Sequence, residues 1–328
     1  MSEAHEERMN RREFVGRALK AGASVATACS LGYAFYDAQG PDGKRSEKLV
    51  SLPDFSIPEA KGKMSVVLGK DRVKALERGL MALGGIEGFI KKGDRVLIKV
   101  NAAFATPPML CATTNPQLLA RMIELCYKAG AASVLVTDNP INDPATCFAM
   151  SGIAEATSSV GGKLLLPKET FFKPTTVGRL IKKWPLLYEP FQGVNKVIGM
   201  APVKDHYRSG ASMSMKNWYG LLGGRRSVFH QDIHNTIQEL SMMVTPTLVI
   251  LDGVQTMISN GPTGGSLSDL KSTHTMILST DQVAADALGC TLLEKSKESL
   301  PYIAKAEAQG AGTSDYESLK PVRIELGE

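Results

Sequence analysis

Short apolar runs rich in β-branched residues alternate along this chain with segments of helical periodicity, and no other feature constrains the fold as strongly. The runs predicted to be strands are 95–100, 133–137, 196–200, 247–251 and 274–278. The segments predicted to be helices are 71–83, 116–129, 232–243 and 281–295. Strands that are apolar on both faces are typical of parallel sheets covered by helices. The predicted fold class is therefore α/β, a mainly parallel sheet with helices on both faces.

Polar residues stand at the ends of several predicted strands. Asn101 and Asp138 follow the first two, a Lys204-Asp-His206 group follows the third, and Asp252 follows the fourth. In open α/β sheets, ligands bind beyond the carboxyl ends of the strands. The strand ends are therefore where we expect the ligand site.

The N-terminal segment, residues 1–37, resembles a twin-arginine export signal. Arg11 and Arg12 precede a weakly apolar run at 21–36, as in signals that the Tat translocon reads. The run has about 16 residues, whereas roughly 20 are needed to span a bilayer. Both cleavage of the signal and retention as a membrane tether stay open. The predicted location is periplasmic or otherwise extracytoplasmic.

The rest of the chain divides by composition into a linker and one domain. Residues 38–63 are polar and interrupted by proline and glycine, without a sustained period, which is typical of a linker. Residues 64–328 carry the alternating pattern and are predicted to form a single α/β domain.

Composition excludes several classes of function. The 38 Lys and Arg residues against 33 Asp and Glu give a net charge of +5, without the basic block interleaved with aromatic residues that nucleic-acid binders carry, so no nucleic-acid partner is predicted. The five cysteines are far apart and form no C-x-x-C pair, so no intrinsic iron–sulfur cluster is predicted. The chain also lacks a P-loop, a G-x-G-x-x-G turn and a G-x-S-x-G elbow.

The densest polar stretch, residues 202–220 with its continuation to 230, is the candidate site. Lys204, Lys216 and Arg225 are cations on glycine-rich sequence, a context that suits the binding of a carboxylate or phosphate. His206 and His230 are candidates for acid–base catalysis or for binding a metal. The alternative is a solvated loop with incidental charges.

Two aspartates and a glycine complete the candidate site. Asp252 at a strand end and Asp286, one turn inside a predicted helix, are candidate metal ligands together with His206 and His230. Gly261 lies in a turn-rich loop that closes over the site or is an ordinary surface turn. Asp281 is predicted to cap the helix that contains Asp286.

A series of short motifs, taken in order, resembles the domain-of-unknown-function family 362. The motifs lie at 99–101, 113–116, 203–206, 215–220, 230, 252–253, 261–262 and 281–286. The resemblance covers about residues 64–293 and carries no common activity with it. Many relatives have an added ferredoxin-like module, which this chain lacks. Position by position, the resemblance implies a site of Lys99, Asn101, Lys204, His206, Lys216, Asn217, His230, Asp252 and Asp286.

Two hypotheses for the function follow. The first is an exported enzyme in which lysines 99, 204 and 216 with Arg225 bind a small anion, and His206, Lys216 and His230 carry out redox chemistry or isomerisation of a small carboxylate in anaerobic respiratory metabolism. Its cofactor is unknown, and a metal is one candidate. The second is a non-catalytic binding or assembly subunit of an exported redox complex.

Overall fold

The computed structural model describes residues 10–34 and 48–327. The chain divides into two units, Met1–Glu47 and Lys48–Glu328. The boundary predicted at residue 37, with residues 38–47 of the predicted linker, lies outside the described residues.

The first unit contains a helix, α1 (Arg11–Ala34), which begins at the paired arginines. The Asn10 side chain accepts a hydrogen bond from the Glu13 backbone N–H (2.9 Å) and so caps the first turn. Phe14, Leu19 and Val25 on this helix are all exposed. Within the described ranges, none of the helices combines the length and the apolar character needed to cross a membrane.

The second unit is built on a mixed sheet. Its strands are β1 (Met64–Leu68), β2 (Arg95–Lys99), β3 (Ser133–Thr137), β4 (Lys163–Leu164), β5 (Phe172–Thr175), β6 (Trp184–Leu187), β7 (Lys196–His206), β8 (Gly210–Ser212), β9 (Leu248–Met257), β10 (Leu270–Ser279) and β11 (Val322–Glu325). Strands β5 and β6 form a separate antiparallel hairpin.

The helices of this unit surround the sheet. They are α2 (Arg72–Ala82), α3 (Pro116–Lys128), α4 (Pro144–Met150), α5 (Ile153–Ser159), α6 (Ser214–Asn217), α7 (Ile233–Met243), α8 (Gln282–Leu292) and α9 (Pro301–Ala308). The side chains of Asp71, Asn115 and Asp281 cap α2, α3 and α8 respectively, which confirms the predicted cap at Asp281.

The order of strands in the main sheet is β11-β1-β10-β9-β7-β2-β3-β4, with β8 paired to β7. The block from β9 to β4 is parallel throughout. Strand β10 runs antiparallel to both of its neighbours. The predicted mainly parallel α/β fold is confirmed, although one side of the sheet includes this reversed strand.

Hydrophobic cores fill both faces of the sheet. Along β2, Val96 and Ile98 pack into one core with α2 and α3, whereas Leu97 packs into the other with α7 and α8. Neighbouring strand residues point to opposite faces, so a strand that is apolar at every position requires a helical layer on each side. This explains why the apolar runs do not alternate with polar residues.

Strands β7 and β9 continue further than the sequence pattern predicts. Lys204 and His206 were expected to follow a strand ending at residue 200, but they lie inside β7, which β8 extends as an antiparallel hairpin. Asp252 likewise lies inside β9. The apolar pattern stops before the real ends of these strands, because their last residues include polar side chains. The sequence therefore predicted both strands to be too short.

The domain begins earlier than the predicted boundary at residue 64. Phe55 is 2% exposed, its backbone N–H donates to the Thr245 carbonyl (3.0 Å), and its carbonyl accepts from the Thr247 hydroxyl (2.7 Å). Residues 48–63 are therefore part of the packed unit, and not a linker.

Candidate functional site

A cavity of about 60 Å³ lies where β2 and β3 end and β7 continues into its hairpin. Residues from four separate regions line it: Lys99, Asn101, Phe104, Asp138, Asn139, Lys204, His206, Ser212, Lys216, Asn217, Tyr219, Gly220, Arg226, His230 and Pro262, with Ala103 and Ile141. One water needs roughly 10–15 Å³ of such volume. The cavity is therefore sized for a ligand of only a few non-hydrogen atoms.

Lys99, at the end of β2, has no hydrogen-bonding capacity left for a ligand. Its buried ammonium donates to Asp138 Oδ1 (2.7 Å), to Asn217 Oδ1 (2.9 Å) and to the Val100 carbonyl (2.8 Å). An ammonium has three N–H donors, and all three are used. Burial lowers the pKa of Lys99, and the Asp138 carboxylate opposes that shift. Lys99 lines the cavity, but its hydrogen bonds connect the ends of β2 and β3 to α6.

The two asparagines connect the strand ends to the α6 region. Asn217 Oδ1 accepts from Lys99 and from Asn101 Nδ2 (3.2 Å), while its Nδ2 donates to the carbonyls of Lys99 and Met200 (3.3 Å each). Asn217 is fully satisfied. Asn101 retains one N–H on Nδ2 that this network does not use.

Lys204 has one donor left. Its ammonium, 1% exposed as a residue, donates to the Ala112 carbonyl (2.5 Å) and to Asn101 Oδ1 (3.2 Å). Burial, reinforced by the nearby Lys216 ammonium, lowers the pKa of Lys204 to about 7. The remaining N–H is available to a molecule in the cavity.

Lys216, on the short helix α6, differs from both other lysines. It is 8% exposed, and its ammonium has no hydrogen-bond or ion-pair partner in the described part of the chain, only the face of the Tyr219 ring at 5.0 Å. Burial, with Arg226 and Lys99 nearby, lowers the pKa of Lys216 to about 7. Buried charges are normally paired, so Lys216 is unusual among the three buried lysines in having no polar partner within the described residues.

Arg226 adds a further positive charge but is held by the backbone. Its guanidinium donates to the carbonyls of Leu222 (3.0 Å), Asn139 (2.7 Å) and Pro140 (3.0 Å). Burial lowers its pKa, and the Asp138 carboxylate opposes the shift. The residues named for this cavity thus include four cationic side chains and one carboxylate, that of Asp138.

His206 presents a protonated nitrogen to the cavity. Its Nδ1 accepts from the backbone N–H groups of Arg208 (3.2 Å) and Ser209 (3.3 Å), so the proton of the neutral ring lies on Nε2. Burial, with the Lys216 ammonium adding to it, lowers the pKa of His206 to about 2. The ring is therefore a neutral hydrogen-bond donor.

His230 has the opposite tautomer. The Tyr219 hydroxyl donates its single proton to the Arg226 carbonyl (2.5 Å), so it accepts from His230 Nδ1 (3.0 Å). The proton of His230 is then on Nδ1, and Nε2 keeps its lone pair. Burial, followed by the Lys216 charge, lowers the pKa of His230. The neutral His230 ring is therefore a hydrogen-bond acceptor at Nε2.

The structure does not bring the two candidate metal-binding aspartates to these histidines. Asp252 forms an ion pair with Arg72 Nε (2.7 Å) on the α2 side of the sheet. Asp286, fully buried in α8, accepts from the Ser214 and Met215 backbone N–H groups and so anchors α6. Burial raises the pKa of Asp286 to about 7.

The histidines themselves do not form a metal centre either. Within the described residues no group of three His, Cys, Asp or Glu side chains is arranged to hold a metal ion. His206 would have to give up the Nε2 proton that its two backbone donors impose. The tentative set of His206, His230, Asp252 and Asp286 is thus not assembled as one site.

Two other predicted ligand-binding residues lie beside the cavity instead of in it. The Arg225 side chain is exposed, and the residue lines a neighbouring groove, while Arg226 faces the cavity. Gly261 packs against β7, where a Cβ would lie 1.9 Å from the Asp205 carbonyl oxygen. Its neighbour Pro262 contacts the cavity.

Some cavity residues were not among the predicted site residues. Asp138 stands at a predicted strand end, so the strand-end rule was the signal that pointed to it. Tyr219 and Gly220 lie in the turn after α6, and Gly220 is required because a Cβ there would lie 2.0 Å from Asp138 Oδ1. That close approach gives no signal in a single sequence.

The family model described as Domain of unknown function (DUF362) matches residues 96–291, more than half of the chain and all of the cavity residues. This chain belongs to that family. The match confirms the resemblance to this family that the sequence motifs indicated.

Two individual proteins are similar to this DUF362 chain. The thylakoid-associated protein sll1697 of Synechocystis sp. is 24% identical over 265 residues, which cover 74% of this chain and 76% of the relative. Among solved structures, the lactate racemase apoprotein of Thermoanaerobacterium thermosaccharolyticum aligns with a TM-score of 0.40 and 12% identity, over 74% of this chain and 61% of that protein.

Proposed function

We propose that this chain is an enzyme that binds a small carboxylate in the lysine-lined cavity and moves a proton at the carbon next to the carboxylate group, as an isomerase does. The observation that carries the proposal is the buried, unpaired ammonium of Lys216 beside an acid–base pair of histidines.

The hydrogen-bonding groups left free in the cavity suit an anion. They are the three N–H groups of Lys216, one each of Lys204 and Asn101, and the Nε2–H of His206. Hydrogen bonds between an ammonium and a carboxylate contribute about 1.5–3 kcal/mol each. A small carboxylate would also restore charge balance, because it pairs with the cation that has no partner.

The histidines supply the proton transfer. His230 Nε2 takes a proton from the carbon, and the electron pair moves towards the carboxylate oxygens. The resulting oxyanion is stabilised by His206 Nε2–H and the lysine ammonium groups, which are already in place before the reaction. Return of the proton to a different face or position of the substrate gives the isomer, with no net gain or loss of atoms.

The N-terminal segment supports a role for this enzyme after export. Arg11 and Arg12 lie at the start of α1, both exposed, where the Tat translocon could read them. A relative named for its association with thylakoids is consistent with a location at a membrane. Replacing both arginines (Arg11→Lys with Arg12→Lys) in the full chain should leave the protein in the cytoplasm of its host; unchanged export would contradict this part of the proposal.

The catalytic proposal is tested by hydrogen exchange. The full chain is incubated in D₂O with lactate, malate or glycerate, and loss of the C2–H signal is followed by NMR. We expect exchange with at least one of them, and none with the His230→Gln variant. If no small carboxylate binds or exchanges, and the protein isolated from its host carries a partner protein instead, the assembly-subunit alternative is favoured.

A further inference from the structure

We propose that Lys216 acts as an amine nucleophile and forms an imine with the carbonyl carbon of a small 2-oxo acid. This inference rests on the anion-binding cavity of the proposed function, and it names the substrate class and the atom that reacts with it. Because C2 of a 2-oxo acid carries no hydrogen, the proton that moves in such a substrate is on C3.

The hydrogen bonds of the three buried lysines single out Lys216. A lysine whose N–H groups all donate to acceptors is held as an ammonium, and this applies to Lys99, which has three such bonds. Lys204 has two. Lys216 has none within residues 10–34 and 48–327, and it lines the cavity. Its nitrogen can therefore lose a proton without breaking any hydrogen bond.

The surroundings of Lys216 favour the neutral amine. No carboxylate of the described chain pairs with it, whereas Arg226 and Lys99 lie close enough to disfavour a second positive charge. Desolvation beside other cations is how an amine nucleophile is activated in enzymes that use lysine. The same two effects lower its pKa to about 7, where a large fraction is unprotonated at neutral pH.

The free donors of the cavity match the other end of a 2-oxo acid. Lys204 and Asn101 can bind the carboxylate, and His206 Nε2–H can donate to the carbonyl oxygen. The cavity of about 60 Å³ admits a molecule of the size of pyruvate and excludes much larger ones.

The chemical step balances without an oxidant or a reductant. The Lys216 nitrogen attacks the carbonyl carbon and releases one proton, which His230 Nε2 accepts and passes to the former carbonyl oxygen. With a second proton from solvent, that oxygen leaves as water and a C=N bond forms. The positive charge of the resulting iminium lies over the Tyr219 ring, where the Lys216 nitrogen lies now.

An iminium also explains why a base stands beside the lysine. It withdraws electrons from C3, the carbon beside the iminium carbon, and so acidifies the C–H bonds there. His230 Nε2 could then remove a proton that the free 2-oxo acid holds more firmly. Proton transfer and imine formation would be successive steps in the same cavity.

The test is reductive trapping. The full chain is incubated with pyruvate and sodium cyanoborohydride, and intact mass and peptide mapping locate the adduct. We expect one reduced adduct, on Lys216, absent from Lys216→Arg and retained by Lys182→Arg, a control at an exposed lysine. Peptide mapping of the wild-type protein locates the adduct even if the Lys216→Arg variant does not fold. Lactate, which has no carbonyl group, should give no adduct.

Failure of the imine and failure of the binding site give different results. If calorimetry shows that pyruvate binds but no adduct forms, or adducts form only on exposed lysines, the imine proposal is wrong and the anion-binding site stands. If neither pyruvate nor lactate binds, both proposals are wrong.

Discussion

The imidazole rings of His206 and His230 stack with their centroids 5.7 Å apart and their planes 12° from parallel. The neutral His206 ring carries its proton on Nε2, whereas the neutral His230 ring carries its proton on Nδ1. Backbone N–H groups impose one tautomer on His206, and the Tyr219 hydroxyl imposes the other on His230. The pair therefore offers a donor and an acceptor of protons to the same cavity while both rings are neutral.

The first prediction concerns the different roles of the two histidines, His206 as a hydrogen-bond donor and His230 as a base. His206→Gln keeps an N–H donor, so we expect it to lower the rate of C2–H exchange only partly, by about tenfold to a hundredfold. His230→Gln has no ring lone pair to act as a base, so its rate should fall by about 10²–10⁴, the usual contribution of a general base. NMR of the substrate in D₂O measures both. Equal losses in the two variants would show that the roles are not distinct.

The second prediction concerns the close packing of Gly220. An added Cβ would lie 2.0 Å from Asp138 Oδ1 and 2.6 Å from Lys99 Nζ. Gly220→Ala should therefore disturb this buried ion pair and lower the free energy of unfolding by about 1–3 kcal/mol, as overpacking does. Gly265→Ala is the control, because its Cβ would meet nothing within 4 Å. Urea titration gives the free energy of unfolding of both variants. Equal values for the two variants would contradict the close contact between residue 220 and Asp138.

The third prediction concerns Asp286 as the anchor of α6. Asp286→Ala leaves the N–H groups of Ser214 and Met215 without an acceptor, at a cost of about 1–3 kcal/mol for each buried donor. The Asp286→Asn variant keeps one side-chain oxygen and should lose less stability. Because Lys216 and Asn217 lie on this helix, both variants should also weaken carboxylate binding. Calorimetry that finds full affinity in Asp286→Ala would exclude the positioning role.

The fourth prediction uses the pKa values of the buried lysines. Lys204 and Lys216 have a pKa of about 7 in the folded protein, below the usual value near 10.4 for an unfolded chain. Between these values the unfolded state binds more protons, so each lysine makes the protein more stable as the pH rises.

The measurement for this prediction is the stability difference between the wild type and Lys216→Met from pH 7 to pH 10. We expect the difference to move in favour of the wild type by up to about 1.4 kcal/mol per pH unit. Lys204→Met should change in the same direction, and the comparison cancels the groups that do not interact with the substituted lysine. A flat difference would mean that the Lys216 pKa is not lowered by burial.

The sequence was sufficient to predict the layer structure and seven of the seventeen residues that line the cavity. The apolar runs predicted parallel strands, and the strand-end rule pointed to Asn101, Lys204 and His206. Lys204 and His206 share a face because they are two residues apart in a strand, which period-two side-chain alternation makes predictable once the strand is known.

The errors arose from interactions between distant parts of the chain. Asp252 fits the same strand-end rule, but its carboxylate pairs with Arg72, 180 residues away, and it does not line the cavity. Whether Arg225 or Arg226 enters the cavity depends on the turn after α6, which no periodicity describes. Asp286 looked like a ligand because it is a carboxylate inside an apolar helix, while its actual partners, Ser214 and Met215, come from another element.

Calorimetric titration of the full chain with lactate or pyruvate tests the anion-binding site most directly. We predict one binding site, an affinity that falls by at least tenfold in Lys216→Met, and no change in Lys182→Met, which alters an exposed lysine. Equal affinity in Lys216→Met and the wild type, or no binding of any small carboxylate, would contradict the account.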